Sequence, residues 1–453
     1  MMKKRFKSRR SFIKSSVQAV SGVLYLNQSN WPSQFNFSEN KLAISGGKPI
    51  RNKTWPKWPE MIVDEKMIAN ITTTTRSGAW SRINAPVNGA VASFEKAYAA
   101  ALGSKYCVAT GSGTQALAAA LEALGIGPGD EVITSPYTDF GTISAILACR
   151  ALPVMADLDR ESYQINPSEV QKKITKNTKA IVPVHIMGSA CDMDSIIQMA
   201  GNHQLYVVED ACQANYAKYK GKQLGTIGNM GCFSFQGSKQ LACGEGGAVI
   251  GNDSHLMDIV YTIQNHGTTR KGINERTGLK LRMNEFEGSI LLSQLPKSLE
   301  RFQQRNENAG YLTRKLASIP GIEPQKQYPG AESSGYYLYA FSYKKEHFNG
   351  MERADFLKAL SAEGIPAGGY IKGLHNDPWT SHVTSMDVYK MAYSRERLAE
   401  FMDSLDMPEC DAVSNEVVVL NACPMLLGNQ EDMDDIINSI AKIYEQKNSI
   451  PKN

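Results

Sequence analysis

The chain has 453 residues, 42% of them hydrophobic and 21% charged, the balance of an ordinary globular protein. That excludes a membrane-spanning bundle, a disordered chain and a fibrous repeat. The formal charge of +4 comes from Lys3, Lys4, Arg5, Lys7, Arg9, Arg10 and Lys14, which precede the first acid, Glu39; taking those seven charges from +4 leaves −3. The mildly acidic remainder has no basic patch, so no nucleic-acid partner is expected.

Residues 1–38 form the first unit, a signal and linker. Ser8-Arg9-Arg10-Ser11-Phe12-Ile13-Lys14 resembles a twin-arginine export signal, which carries proteins across a membrane already folded. The apolar stretch after it, Val17 to Leu26, is too short and too polar for a stable span. The expected location is therefore periplasmic or envelope-associated, or the cytoplasm if the signal is not functional. No A-x-A site follows, which leaves cleavage open.

From about residue 90 helical and strand patterns alternate. Phe94–Ala101, Thr114–Leu124 and Asp194–Ala200 have helical spacing. Apolar runs at Glu131–Thr134, Pro153–Ala156, Ala180–His185, Leu205–Val208, Cys232–Phe235 and Ala248–Ile250 read as buried strands. The expected class is α/β: a large domain over 39–298, including an N-terminal arm, with a mostly parallel sheet flanked by helices. Beyond 298 the helices Arg353–Glu363 and Glu431–Gln446 and the strand Gly335–Tyr343 predict a smaller α+β domain over 299–453. The eight cysteines form no CxxC pair and no metal-ligand spacing with histidine, so buried free thiols are expected and no metal.

Four segments at strand ends or helix starts have the residue types for chemistry, and ligands of parallel sheets bind at the carboxyl ends of strands. Gly111-Ser112-Gly113-Thr114-Gln115 opens a helix and offers N–H groups to a phosphate, although Ser and Thr also cap helices without a ligand. Val207-Val208-Glu209-Asp210-Ala211-Cys212-Gln213 ends a buried strand in two carboxylates, suited to holding a ring nitrogen protonated or merely to strand-end solvation. Phe233-Ser234-Phe235-Gln236-Gly237-Ser238-Lys239, before Gly244-Glu245-Gly246-Gly247, places a lysine where burial or neighbouring cations could depress its pKa for imine chemistry; a plain loop lysine is the simpler explanation. Gly278-Leu279-Lys280-Leu281-Arg282-Met283-Asn284-Glu285 starts a helix and is explained equally well by capping.

Taken together, these segments resemble the pyridoxal 5′-phosphate (PLP)-dependent sugar aminotransferases of the DegT–StrS type, which share the aspartate aminotransferase fold. The likeness runs from about residue 42 and includes Gly46-Gly47-Lys48-Pro49, Gly125-Ile126-Gly127-Pro128-Gly129-Asp130-Glu131-Val132 and Pro183-Val184-His185-Ile186-Met187-Gly188. The resemblance implies Lys239 as the Schiff-base lysine, Asp210 on the pyridinium nitrogen and Gln213 on the ring oxygen. It implies Gly113, Thr114 and Ser234 on the phosphate. A neighbouring subunit would complete the site through the segment around Lys280, so a homodimer or higher is expected.

Three positions depart from the family pattern. Asp139 stands where an aromatic residue normally covers the ring, so that Phe140 or Tyr137 stacks instead, or the ring face is polar. Lys280 replaces an asparagine that reaches the phosphate. The segment before His375 is less bulky and less basic than usual; His375, with His185, is read as a substrate contact.

The expected activity is transfer of an amino group from glutamate or glutamine to a keto sugar or keto cyclitol. Two alternatives are a PLP-dependent sugar dehydratase, which retention of Lys239 opposes, and an exported non-catalytic protein that keeps the fold to bind or sense a sugar.

Overall fold

A computed structural model describes residues 41–449; the twin-arginine segment lies outside the described residues. The central sheet has seven strands: β1 (Tyr106–Thr110), β2 (Glu131–Thr134), β3 (Leu152–Met155), β4 (Thr178–Val182), β5 (Tyr206–Asp210), β6 (Met230–Ser234) and β7 (Gly247–Gly251). They lie in the order β1-β7-β6-β5-β4-β2-β3. Only β7 runs against its neighbours; the pairs β6–β5, β5–β4, β4–β2 and β2–β3 are parallel. The expected mostly parallel sheet is thus present.

These strands read as apolar runs because both faces are covered. Successive residues alternate between two cores: Val108, Val132, Val182 and Val208 enter one, while Ala109, Ile133, Ile181 and Val207 enter the other. Helices α1 (Glu65–Ser77), α2 (Ala90–Leu102), α3 (Gly113–Ala123), α4 (Phe140–Ala148), α5 (Met193–His203) and α6 (Ser254–Gln264) follow in chain order. Helices α3, α4 and α6 supply the first core, for example through Leu117, Ile146 and Val260. Helices α2 and α5 supply the second, through Phe94, Tyr98 and Ile196.

The 32-residue helix α7 (Glu285–Leu316) starts with a capping box between Asn284 and Glu287, a strong start signal. The boundary expected at 298/299 falls inside this unbroken helix. Beyond it a four-stranded antiparallel sheet forms from β8 (Ile322–Pro324), β9 (Leu338–Tyr343), β10 (Ala367–Gly368) and β11 (Val417–Asn421), in the order β8-β9-β11-β10. Helix α8 (Arg353–Ala362) packs against β10, and α9 (Gln430–Glu445) packs on α8 and α7. Strand β9 begins three residues later than the expected Gly335, because Tyr336 adopts φ 45° and breaks the extended run.

An N-terminal arm precedes α1. Glu363 and Lys442, both fully buried, pair at 3.0 Å, and Glu363 also accepts from the N–H groups of Ala43 (2.8 Å) and Ile50 (3.0 Å). Lys442 donates to the Lys48 carbonyl, and the Arg51 guanidinium meets Asp432 and Asp435. Charges this deep persist only when paired and hydrogen-bonded, and here the partners are the arm's own backbone.

Candidate active site

The carboxyl ends of β5 and β6 and the first turn of α3 enclose a cavity of about 450 Å³. Ser112 caps α3, its hydroxyl accepting from the Gln115 N–H at 3.2 Å. The N–H groups of Gly113 and Thr114 then stand ahead of any intrahelical acceptor, at the positive end of the helix. Gly113 is needed sterically: a Cβ there would lie 2.8 Å from both Cys212 Sγ and the Ser234 Cβ. Only glycine lets α3 come this close to β6 and bring Ser234 beside the helix terminus.

Asp210 ends β5 and is almost fully buried. One carboxylate oxygen accepts from the Thr142 hydroxyl at 2.8 Å and the other from the Cys212 N–H at 3.2 Å. Thr142 in turn shares a 2.7 Å hydrogen bond with Thr138. A carboxylate offers about four acceptor positions, so Asp210 keeps capacity toward the cavity. The Gln213 amide is fixed at both ends: its oxygen accepts from the Met187 N–H at 2.6 Å, and its nitrogen donates to the Tyr370 hydroxyl at 3.0 Å.

Lys239 sits on a loop folded back on itself, with Phe235 and Gly237 donating to Gly246 and Gly244. Its carbonyl accepts from Trp58 Nε1 of the arm at 3.0 Å, and its ammonium lies over the Tyr337 ring, 4.0 Å from the centroid. Cys212 also lines the cavity, but burial pushes its thiol well above the ordinary range, with Asp210 adding to the effect and Lys239 opposing it. It is held neutral and is a poor nucleophile.

The cavity therefore gathers Gly113, Thr114, Asp210, Gln213, Ser234 and Lys239, all anticipated from sequence. Three other expectations are corrected by placement. Phe140 is 42% exposed and packs toward Trp379 at 6.3 Å; as first residue of α4 its side chain leaves the wall to Asp139, which does line the cavity. The alternative stacker Tyr137 is fully buried, edge-on to Tyr370.

His185 is not a substrate contact: fully buried, it meets Glu209 through Nε2 at 3.0 Å and accepts from the Cys191 N–H through Nδ1. His375 is likewise buried, between Asp411 at 3.2 Å and Asn376, outside the lining. Lys280, expected to act from a neighbouring subunit, is exposed and lines a separate hollow beside Trp80 and Arg282 on its own chain.

Sequence reasoning missed Thr138, Thr142, Tyr337 and Tyr370. The first two carried a weak signal, two threonines four residues apart, Thr138 in the loop of Tyr137 and Asp139 and Thr142 in the first turn of α4. The tyrosines flank strands of the other sheet, Tyr337 just before β9 and Tyr370 just after β10; Tyr370 belongs to the segment before His375 already noted, and Tyr337 carried no signal.

The sequence matches the DegT/DnrJ/EryC1/StrS aminotransferase family over residues 62–441. The chain belongs to that family. It is 32% identical over 426 residues to the L-glutamine:2-deoxy-scyllo-inosose aminotransferase of Streptoalloteichus tenebrarius, covering 89% of this chain and 97% of that one. It is 33% identical over 398 residues to the spore coat polysaccharide biosynthesis protein SpsC of Bacillus subtilis, covering 85% and 96%. The solved structure of 3-amino-5-hydroxybenzoic acid synthase superposes with a TM-score of 0.73 at 27% identity, over 88% of this chain and all of that one. This DegT-family chain is thus an aminotransferase, and its family and fold neighbours use PLP. Among the described residues no helix is long and apolar enough to cross a membrane.

Proposed function

We propose that the cavity holds PLP and that the chain moves an amino group from glutamine or glutamate to a keto cyclitol or keto sugar. The observation that carries the reading is convergence: a helix N-terminus, a carboxylate with spare acceptor capacity, an anchored amide and a lysine, from four separate segments, line one cavity. The cradle fits the cofactor's phosphate, since Gly113 and Thr114 offer unused N–H groups and Thr114 and Ser234 add hydroxyls. When bound, PLP supplies an electron sink for a carbanion.

The residues around it do the rest. Asp210, oriented by Thr142, accepts the hydrogen bond of a protonated ring nitrogen, and its negative charge keeps that proton in place. Gln213, held by Met187 and Tyr370, presents its amide to the ring oxygen. Lys239 is the residue that would hold the cofactor through its amine, and that amine, when free, would take a proton from the substrate carbon and return it as general base and acid. Lys280 of a second copy donates to the phosphate as a point charge, which makes the active unit a homodimer or larger. The relatives named for L-glutamine and scyllo-inosose substrates support the donor and the acceptor class.

The test is spectroscopic. Purified protein with PLP should show a band near the edge of the visible that bleaches on adding glutamine or glutamate, and the Lys239→Ala protein should neither bleach nor turn over. A stable band without turnover in the unaltered protein supports the sugar-binding alternative instead. Screening keto acceptors against the aminated form then identifies the substrate. We also propose export by the twin-arginine route. Residues 1–40 fused to a reporter should reach the periplasm of a host with that translocase and stay inside a host without it.

A further inference from the structure

We propose that Tyr337 is a further catalytic residue, the aromatic face on which the Lys239 ammonium rests whenever that amine is free. The inference depends on reading Lys239 as the reacting amine. Its first support is direct geometry: Lys239 Nζ lies 4.0 Å from the Tyr337 ring centroid, well within the roughly 6 Å over which a ring quadrupole attracts a cation. Among the described residues Lys239 forms no ion pair with a carboxylate, so the ring is the neighbour that can stabilise its charge at contact distance.

The second support is how firmly the ring is held. The Tyr337 N–H donates to the Met187 carbonyl at 3.1 Å, and Gly335 donates to Gly188 at 2.9 Å. The Tyr337 hydroxyl meets Ser238 Oγ, next to Lys239, at 3.0 Å. Two non-glycine residues, Met187 (φ 61°) and Tyr336 (φ 45°), are in left-handed conformations that such residues adopt only where the surroundings enforce them. A Cβ on Gly188 would lie 2.6 Å from the Tyr336 nitrogen, so the two segments are joined as closely as backbone allows. Met187 also donates to the Gln213 amide oxygen. One strained peptide segment therefore fixes both Gln213 and the ring under Lys239.

The chemistry follows. As general base, free Lys239 uses its lone pair to form a new N–H bond, becoming an ammonium, while the electron pair of the broken C–H bond stays on the substrate side. The Tyr337 face stabilises that ammonium beside the cavity until the proton is returned. Tyr337 and Ser238 also line a second hollow of about 320 Å³ with Leu338, Pro366 and Val419, so the ring is the wall that keeps the free lysine from swinging out of the site.

The test measures the pH dependence of Lys239 acylation by an amine-specific reagent in the cofactor-free, full-length protein, read by peptide mass spectrometry. The titratable groups around Lys239 are Asp139, Asp210, Cys212 and Glu245 about the cavity, Tyr370 beside Tyr337 and Cys423 behind Ser238; all are retained in the variants. Tyr337→Leu should titrate lower than the unaltered protein by about one unit, and Tyr337→Phe should stay close to it. In the holoenzyme, Tyr337→Leu should lower kcat about tenfold with donor KM little changed, and Tyr337→Phe should restore most of the loss. The proposal is overturned if the Leu variant titrates like the unaltered protein, or if Phe falls as far as Leu, which would place the effect in the hydroxyl. Should the Leu variant not fold, Tyr337→Trp, with its stronger cation-binding face, must move the titration upward. Acylation reports the Tyr337–Lys239 contact whatever Lys239 does. An active Lys239→Ala protein would refute the lysine's role and leave that contact standing.

Discussion

Glu209 and Asp210 are neighbours on one strand, both buried, and their surroundings give them opposite roles. Every acceptor position of Glu209 faces the protein: His185 Nε2 and the Gly225 N–H meet one oxygen, and the N–H groups of Ile227 and Gly228 meet the other, all at 2.7–3.0 Å. Asp210, pointing to the other face as strand geometry requires, has among the described residues only Thr142 and Cys212 as donors. A saturated carboxylate holds a fold together; a half-satisfied one at a cavity has something left to bind. The same contrast separates His185, spent on Glu209, from the residues that face the cavity.

That contrast can be broken by substitution. Asp210→Asn should produce the largest loss of turnover, about 10²–10³-fold, with the thermal midpoint nearly unchanged. Steady-state kinetics beside a melting curve would show it. Glu209→Gln should do the reverse, because an amide nitrogen cannot accept from the loop N–H groups: a destabilisation of about 2–4 kcal/mol, read by denaturant unfolding, with kcat per folded molecule close to the parent's. A smaller effect is expected of Thr142→Val. Losing one donor to Asp210 should lower kcat about fivefold, the kinetic equivalent of roughly 1 kcal/mol, with donor KM held. The smallest belongs to Cys212→Ser, since burial already keeps that thiol protonated: a change in kcat under about twofold, and no alkylation of Cys212 by iodoacetamide at pH 8 in the folded protein. A large effect there would place Cys212 on Asp210's side of the contrast.

The sheet was readable because doubly covered strands leave a mark in composition: Pro153–Ala156 and Ala248–Ile250 are apolar with no alternation. The site residues were less readable one by one, since Gly113 and Thr114 fit a plain cap, Asp210 plain strand-end solvation and Lys239 a plain loop lysine; the order and spacing of their segments together, through the family resemblance, singled them out. What escaped depends on facts that composition does not encode. His185 follows an apolar run, and nothing in that run tells which side of the sheet it takes or that Glu209 waits there. Phe140 was one residue from the expected stacking position, yet as the first helical residue it points toward Trp379. The run Gly335–Tyr343 reads as one strand because a left-handed Tyr336 has no sequence signature, and that turn is what aims Tyr337 at Lys239. The long helix α7 was seen only at its capped start, since its later turns are strongly polar.

The N-terminal arm sets an order of events during synthesis. Leu42 is tied to Gln446 across a separation of 404 residues, and Ala43, Lys48 and Ile50 are tied to Glu363 and Lys442. At about 5–20 residues per second, the ribosome delivers α9 tens of seconds after the arm. The arm therefore waits without its partners while the central sheet assembles, and it seats only when the last helix arrives. Trp58, which reaches the Lys239 carbonyl from that arm, is put in place by the same closure. A chain cut short before Lys442 should thus lose a contact at the catalytic loop, far from the cut.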